Sequence, residues 1–325
     1  MKVSILIPVY NSEKYIAQTI ECALDQSWNE KEIIVVDDGS TDSSLKIAQS
    51  YECDILKVYA QPNKGASAAR NYAFSKATGE YIQYLDADDL MSVDKIEKQL
   101  NFISQFSDYE KVLVYSPIEI FEDDIANLIL PNTTIRDKSY DNPLELLNEM
   151  FLTFRAILPH AYLVHRSLVE KSGGWNESLS TNDDGEFFSR IISLSSCVKY
   201  VSGTTVYYRN TPNSLSKLRS RRHIESQLSS LMYTATLMLH KNNSEVTRKA
   251  CEKIFNYYIN TWFPENKPFL KKLEKYMQNN ALQYDMSHKS ALYIYISKLL
   301  GWRKTLLLKE YYAKCIKRTK QKNKG

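Results

Sequence analysis

The chain is predicted to fold as an α/β protein, a mostly parallel sheet flanked by helices, with a helical region at its C-terminal end. Three observations predict it. Through residues 1 to 90, apolar runs rich in β-branched residues alternate with segments of helical period. The connections between them are short and punctuated, and polar or acidic clusters follow the runs. Strand–helix alternation implies parallel strands joined by right-handed crossovers, which collects those clusters at the strands' carboxyl ends. Ligands of open α/β sheets bind there.

Val3 to Val9 is a continuous apolar run, as a strand buried on both faces would be. Asn11 or Ser12 then stands as a cap for a helix whose buried face carries Ile16, Ile20 and Leu24. Ile33 to Val36 is β-branched throughout and ends in DDGSTD; Leu45, Ile47 and Ala48 follow on a second helix. Ile55 to Tyr59 is a third strand, after which Asn63 and Gly65 mark a turn into an Ala-rich helix former. Tyr81 to Leu85 is the fourth strand. Ser92 caps a helix with Val93, Ile96, Leu100 and Ile103 on one face, and Val112 to Tyr115 is a further strand. The stretch from Phe121 to Asn142 has no clear period and reads as an excursion, whereas Leu144 to Leu152 reads as a helix. GGWNES at 173–178 is a turn. TNDDGEFFSRII at 181–192 opens on capping residues and continues with Phe187, Phe188, Ile191 and Ile192 as its apolar side. Val198 to Val201 and Thr204 to Arg209 read as two closing strands. Beyond TPNSLSKLRSRR the chain turns helical, which sets a boundary near residue 217 and domains of 1–216 and 217–325.

Composition narrows the class. With 43% hydrophobic and 25% charged residues the chain is globular, and no stretch reaches the apolar length that spans a bilayer. MKVSILIPVYNSE carries too short an apolar run for a secretory leader, so a first strand is expected. Five scattered cysteines without CxxC spacing point to a reducing compartment and away from structural zinc. Residues 303–325 hold nine Lys/Arg against one acid, or +8, so within a whole-chain charge of +4 the remainder is −4. Such a tail suits nucleic acid, an anionic membrane surface or simply water.

YIQYLDADDL, residues 81–90, crowds Asp86, Asp88 and Asp89 at the end of a strand. Neighbouring carboxylates repel, so the cluster calls for solvent or a cation. A polar turn would explain it alone. With PVYN after the first strand and DDGSTD after the second on the same sheet edge, a nucleotide or metal site is favoured.

The pieces VSILIPVYN, VVDDGSTD, NKGASAARN, YIQYLDADD, GGWNESL, NDDGEFFSR and YYRNTPNSLS, in this order, resemble a family 2 glycosyltransferase with the GT-A nucleotide-diphospho-sugar transferase fold. The likeness covers about residues 1–216. It implies an inverting transfer of a sugar from a nucleotide donor, with uracil as the base and Mn²⁺ or Mg²⁺ as cofactor. Hard divalent ions prefer carboxylate and phosphate oxygens. By the family's DxD pattern Asp88 is the metal ligand and Asp86 lies near the ribose, while Asp89 is a ligand or a helix cap. Pro8 and Tyr10 would line the base pocket and Asp38 would accept from the uracil imide, with Asp37 as the alternative or structural member. Lys64, Gly65 and Arg70 fall in the stretch that covers the nucleotide; Arg70 suits a phosphate or base contact, with a surface helix charge as the lesser alternative. Glu13 belongs to the donor side or merely to a first helix turn.

The family's general base comes from an ED motif, here the departing pair Asp183-Asp184. The register favours Asp184 as the base, leaving Asp183 to raise its pKa, cap the helix or meet the acceptor. Trp175 would stack on an acceptor sugar or lie in the core, Arg209 would contact the diphosphate, and His160 and His165 are structural or acceptor-loop residues. The implied partners are a nucleotide-sugar donor and a glycan or lipid-linked acceptor, in cell-surface polysaccharide or glycoconjugate synthesis. The C-terminal helices would meet an anionic membrane surface or form a homodimer contact; nucleic acid is not expected. The expected location is the cytoplasm, peripheral at the inner face of the cell membrane. A sugar-nucleotide pyrophosphorylase is disfavoured because PVYNSEKY lacks a glycine-rich phosphate loop, and a haloacid-type phosphatase because DADD follows the fourth strand. An inactive nucleotide-binding relative serving as a partner subunit remains the alternative.

Overall fold

The computed structural model describes residues 1–122, 125–129, 134–135, 137–211, 220–262, 267–284, 300–301, 304 and 307–308. In chain order the strands are β1 (Val3–Val9), β2 (Lys31–Asp37), β3 (Leu56–Ala60), β4 (Tyr81–Tyr84), β5 (Leu90–Met91), β6 (Val112–Tyr115), β7 (Ile118–Phe121), β8 (Tyr162–His165), β9 (Cys197–Tyr200) and β10 (Val206–Arg209). The helices are α1 (Ile16–Leu24), α2 (Ser44–Gln49), α3 (Ala66–Lys76), α4 (Lys95–Ile103), α5 (Pro143–Thr153), α6 (Arg166–Ser172), α7 (Asp183–Leu194), α8 (Arg221–Lys241), α9 (Glu245–Trp262) and α10 (Lys267–Asn279).

A seven-stranded sheet runs β3-β2-β1-β4-β8-β6-β9. β1 to β4 are mutually parallel as their alternation with helices implied, and β8 alone runs antiparallel to its neighbours. The buried runs of β1 and β2 account for the centre of the core. Pro8 is tolerated in this central strand. Leu6 O accepts from Leu85 N on the β4 side, so by ladder alternation Pro8 faces that side too, past the last β4 pairing at Tyr84. A second sheet, β5-β10-β7, adjoins the acidic loop, Arg209 N at the end of β10 donating to Asp89 Oδ1.

At the sheet's amino edge Glu32 accepts from Lys2 Nζ (2.7 Å), Ser4 Oγ (2.6 Å), Thr78 N (2.6 Å) and Gly79 N (3.2 Å). Burial pushes its carboxyl up, but Lys2, Ser4 and Thr78 outweigh burial and bring it to about 2.

Both closing strands form, in different sheets: β9 edges the large one beside β6, and β10 is the middle strand of the small one. Several local expectations need correction. α1 begins at Ile16, not after Asn11, because Asn11 takes a left-handed φ of 48° and the carbonyl of Ser12 accepts from Tyr15 N and Ile16 N. α4 begins at Lys95; Val93, expected on its buried face, is 56% exposed. Lys95 is buried instead, donating to Gln83 Oε1 and to Gln99 Oε1 at 2.9 Å, and burial drives its ammonium well below the usual lysine range.

By its contacts the chain divides into two compact units, Met1–Thr247 and Arg248–Gly325. α8, expected beyond the boundary near 217, falls in the first. In the second, Glu252 accepts from Gln283 N at 2.8 Å and Asn260 Oδ1 from the Tyr284 hydroxyl at 3.0 Å. Most of the basic tail, residues 309–325, lies outside the described residues. Among the described residues no helix is long and apolar enough to cross a membrane.

Candidate active site

The carboxyl ends of β1, β2 and β4 bring their loops together. Register pairs Val9 with Asp37 and Leu6 with Tyr84, so Asp38 and Asp86 leave the sheet on either side of β1. The first two loops are pinned to each other. Asn11 Oδ1 accepts from Thr41 N (2.8 Å), Asn11 N donates to Ser40 Oγ (3.0 Å), and Glu13 Oε2 accepts from Ser43 N (3.0 Å). Glu13, expected on the donor side, therefore serves as a loop clasp. Asp38 is buried and binds its own chain: Oδ1 accepts from Gln61 Nε2 (2.7 Å) and Lys64 N (2.8 Å), Oδ2 from Gly65 N (2.8 Å). A carboxylate has about four acceptor sites, so Asp38 keeps capacity for one further donor. Gly39 must be glycine, since at φ +72° a Cβ would stand 2.8 Å from Asn63 N. Tyr10, 51% exposed at the end of β1, leaves its ring open. Lys64 is exposed, and Gly65, at φ +96°, starts α3.

Arg70 is not a surface charge. It is 7% exposed, and its guanidinium joins two acidic motifs: Nη2 donates to Asp86 Oδ1 at 2.7 Å and Nη1 to Asp183 Oδ2 at 3.0 Å. Ser67, one turn earlier on α3, donates its hydroxyl to the same Asp183 oxygen at 2.8 Å. Burial disfavours the guanidinium, but Asp86 and Asp183 more than restore it, so Arg70 stays charged. Reciprocally, burial pushes the Asp86 carboxyl up and Arg70 overcomes that, holding it below the usual carboxylate range. Asp183 is thus an ion-pair partner at the first position of α7, where Asn182 occupies the cap without a side-chain bond to the helix's own N–H groups. Trp175 is a core residue. It is 3% exposed, stacks on Phe187 at 4.2 Å and carries the Arg70 guanidinium 4.3 Å from its ring centre, so it is not offered to an acceptor.

Two other carboxyls are left electrostatically unsatisfied. Burial, then Asp86, raises Asp88 to about 6; burial, then Asp183, raises Asp184 to about 6. Asp184 Oδ1 accepts from Gly185 N at 2.8 Å. Among the described residues no three His, Cys, Asp or Glu side chains form a metal cage. Asp88, pushed up by burial and by Asp86, nevertheless offers hard oxygens that fit an Mn²⁺ or Mg²⁺, with phosphate and water able to complete such an ion's shell. Asp89 is structural. Its Oδ1 accepts from Arg209 N at 2.9 Å, and its Oδ2 lies 3.1 Å from His160 Nδ1 without the alignment of a hydrogen bond. Burial drives both groups of that contact toward their neutral forms.

Arg209, expected on the diphosphate, is buried and braces the acidic loop, donating from Nε to Asp88 O (2.9 Å) and from Nη2 to Gln18 Oε1 (2.6 Å). Thr19 Oγ1 donates to Ala87 O and Asp89 O from α1. The loop before Asp184 is held by α8. Ser226 Oγ accepts from Ser180 N (2.8 Å) and Thr181 N (3.0 Å), and Ser230 Oγ accepts from Asn182 Nδ2 (2.7 Å) while donating to Asn182 O (2.6 Å). Ser67, Thr19, Gln18, Gln61, Ser226 and Ser230 escaped the sequence reading, being single polar residues without motif spacing. Only Ser67 carried a signal, its i, i+3 relation to Arg70.

A mostly parallel sheet with acidic strand-end loops that meet the start of a later helix defines a GT-A glycosyltransferase fold. The chain belongs to glycosyl transferase family 2, whose family model matches residues 4–168. A glycosyltransferase of Rickettsia typhi is 34% identical over 197 residues, 60% of this chain and 59% of that protein. TuaG of Bacillus subtilis, provisionally named for teichuronic acid biosynthesis, is 45% identical over 108 residues, 32% of this chain and 43% of TuaG. The matches thus span about half the length of these curated relatives. Residues 1–349 of Staphylococcus aureus TarS, solved with UDP-GlcNAc, superpose with a TM-score of 0.73 at 19% identity over 97% of this chain and 92% of that one.

Proposed function

We propose that the chain moves a sugar, with inversion, from a UDP-linked donor to a hydroxyl of a glycan or lipid-linked acceptor in cell-surface polysaccharide synthesis. The observation that carries this reading is the Arg70 bridge, which ties the donor-side acid Asp86 to Asp183, the immediate neighbour of the base Asp184. The UDP-GlcNAc bound by TarS and the naming of TuaG favour the donor and the setting.

Tyr10 and the spare acceptor capacity of Asp38 suit a uracil ring and its imide. Asp184 takes the proton of the acceptor hydroxyl. As it does, the acceptor oxygen bonds to the anomeric carbon from the face opposite the diphosphate, and the sugar–phosphate bond breaks with its electron pair going to the departing UDP. A divalent ion held by Asp88 would supply charge neutralisation for that leaving group. A panel of UDP-sugars tested for UDP release should give metal-dependent turnover of one member, lost in EDTA and in Asp88→Ala with the fold retained. Turnover unchanged by EDTA would refute the metal role; no binding of any UDP-sugar would refute the donor class.

On sequence alone, the basic C-terminal tail is proposed to contact anionic lipid, at about 1 kcal/mol per basic residue near the surface. Co-sedimentation with anionic vesicles at low salt, lost at high salt, tests it.

A further inference from the structure

A groove lies beside the loop that leads into α7. One wall is the stretch 178–180, which reaches Asp184 within a few residues; the other is a face of α8 bearing Arg222, Glu225, Ser229 and Tyr233. Those four positions recur at helical spacing and so share one side of the helix. The walls are fixed to each other by Ser226, which also donates to Thr181 O at 2.9 Å. Whatever fills the groove therefore sits alongside the base-bearing segment.

Its chemistry is distinctive. Among the described residues, the side chains of Arg222, Glu225, Ser229 and Tyr233 have no hydrogen-bond or ion-pair partner, and Tyr233 is 52% exposed. Among the described residues Ser180 Oγ is closed to solvent and has no partner, a costly state that rotation of its side chain toward a polar group in the groove would relieve. Arg222 and Glu225 cancel in charge, which disfavours an ionic ligand and favours one that both donates and accepts. A tyrosine ring offers an apolar platform with a polar tip. Convergent polar groups around such a platform match a sugar ring, apolar on one face and rimmed by hydroxyls.

We propose that this groove is a subsite for a neutral saccharide unit of the acceptor, seated on Tyr233 and read by Arg222, Glu225 and Ser180. The acceptor role rests on the glycosyltransferase reading above. Saturation-transfer NMR on the full chain tests it, with the methyl glycosides of glucose, galactose, N-acetylglucosamine and N-acetylgalactosamine as probes, and UDP with Mn²⁺ titrated separately onto the wild type. The expected result is saturation transfer to at least one glycoside, weakened about fivefold in Tyr233→Ala and also reduced in Ser180→Ala, with both variants folded by circular dichroism and with no displacement by inorganic phosphate. Three results overturn it: no transfer to any glycoside, equal transfer in Tyr233→Ala, or displacement by phosphate, which would mark an anion site. Should UDP fail to bind, the donor reading falls, and the glycoside data still decide the groove.

Discussion

As the proposed base, Asp184 must be an anion to accept a proton, yet burial and Asp183 hold its carboxyl up at about 6. Turnover should therefore climb as pH passes through about 6 and level off above it. Asp183→Asn removes the nearest like charge, so the acidic limb of the pH–rate profile should move to lower pH; an unmoved limb would show that Asp183 does not tune the base. Asp184→Asn keeps shape and the bond from Gly185 while removing the proton acceptor, and should lower turnover about 10²–10⁴-fold with UDP affinity unchanged. The same substitution should stabilise the fold. A carboxyl whose folded pKa is raised favours the native state while protonated, so its contribution is fully present below about 4 and lost as pH rises through about 6. Asp184→Asn is expected to exceed the wild type in stability at pH 7.5, by on the order of 3 kcal/mol, and to match it near pH 4. Urea melts at the two pH values check this.

The α7–α8 contact is the element on which the proposed base depends. Ser230 satisfies both the side chain and the carbonyl of Asn182, which stands at a left-handed φ of 54° just before Asp183. Ser230→Ala should cost about 1–3 kcal/mol in a urea melt and lower kcat while UDP affinity holds. An unaltered kcat would mean that the loop keeps its place without the clamp. None of this was legible in the sequence, because a serine on a polar helix face has no periodic signature. β1, β2 and β4 were legible because buried parallel strands demand largely apolar runs, here interrupted only by Ser4 in β1 and Gln83 in β4. β5 escaped because two residues show no period, and β8 because YLVH, between Pro159 and a following helix, is too short to separate strand from coil. Within the site, the acids stood out as motifs. The partners of Arg70 did not, since a buried arginine and a solvated one look alike until the fold supplies their neighbours.

At the scale of the molecule, composition changes near residue 217, but the contacts that fix the loop before Asp184 come from α8, inside the unit Met1–Thr247. A chain cut after residue 216 loses Ser226 and Ser230 and should melt earlier and lack transfer activity. A chain of residues 1–247 keeps them and should melt cooperatively and bind UDP. Equal melting of the two fragments would show that α8 is dispensable to the unit. The Arg70 bridge also reaches across the chain, joining residues 113 apart in sequence through one guanidinium. Recombination between relatives with a crossover anywhere between α3 and α7 would separate that cation from its second acid. Ser67, Arg70 and Asp183 consequently behave as one heritable unit: a chimera that exchanges the segment bearing α7 must carry a matching acid at 183, or it leaves a buried arginine with Asp86 as its sole ion-pair partner among the acids at positions 86, 183 and 184.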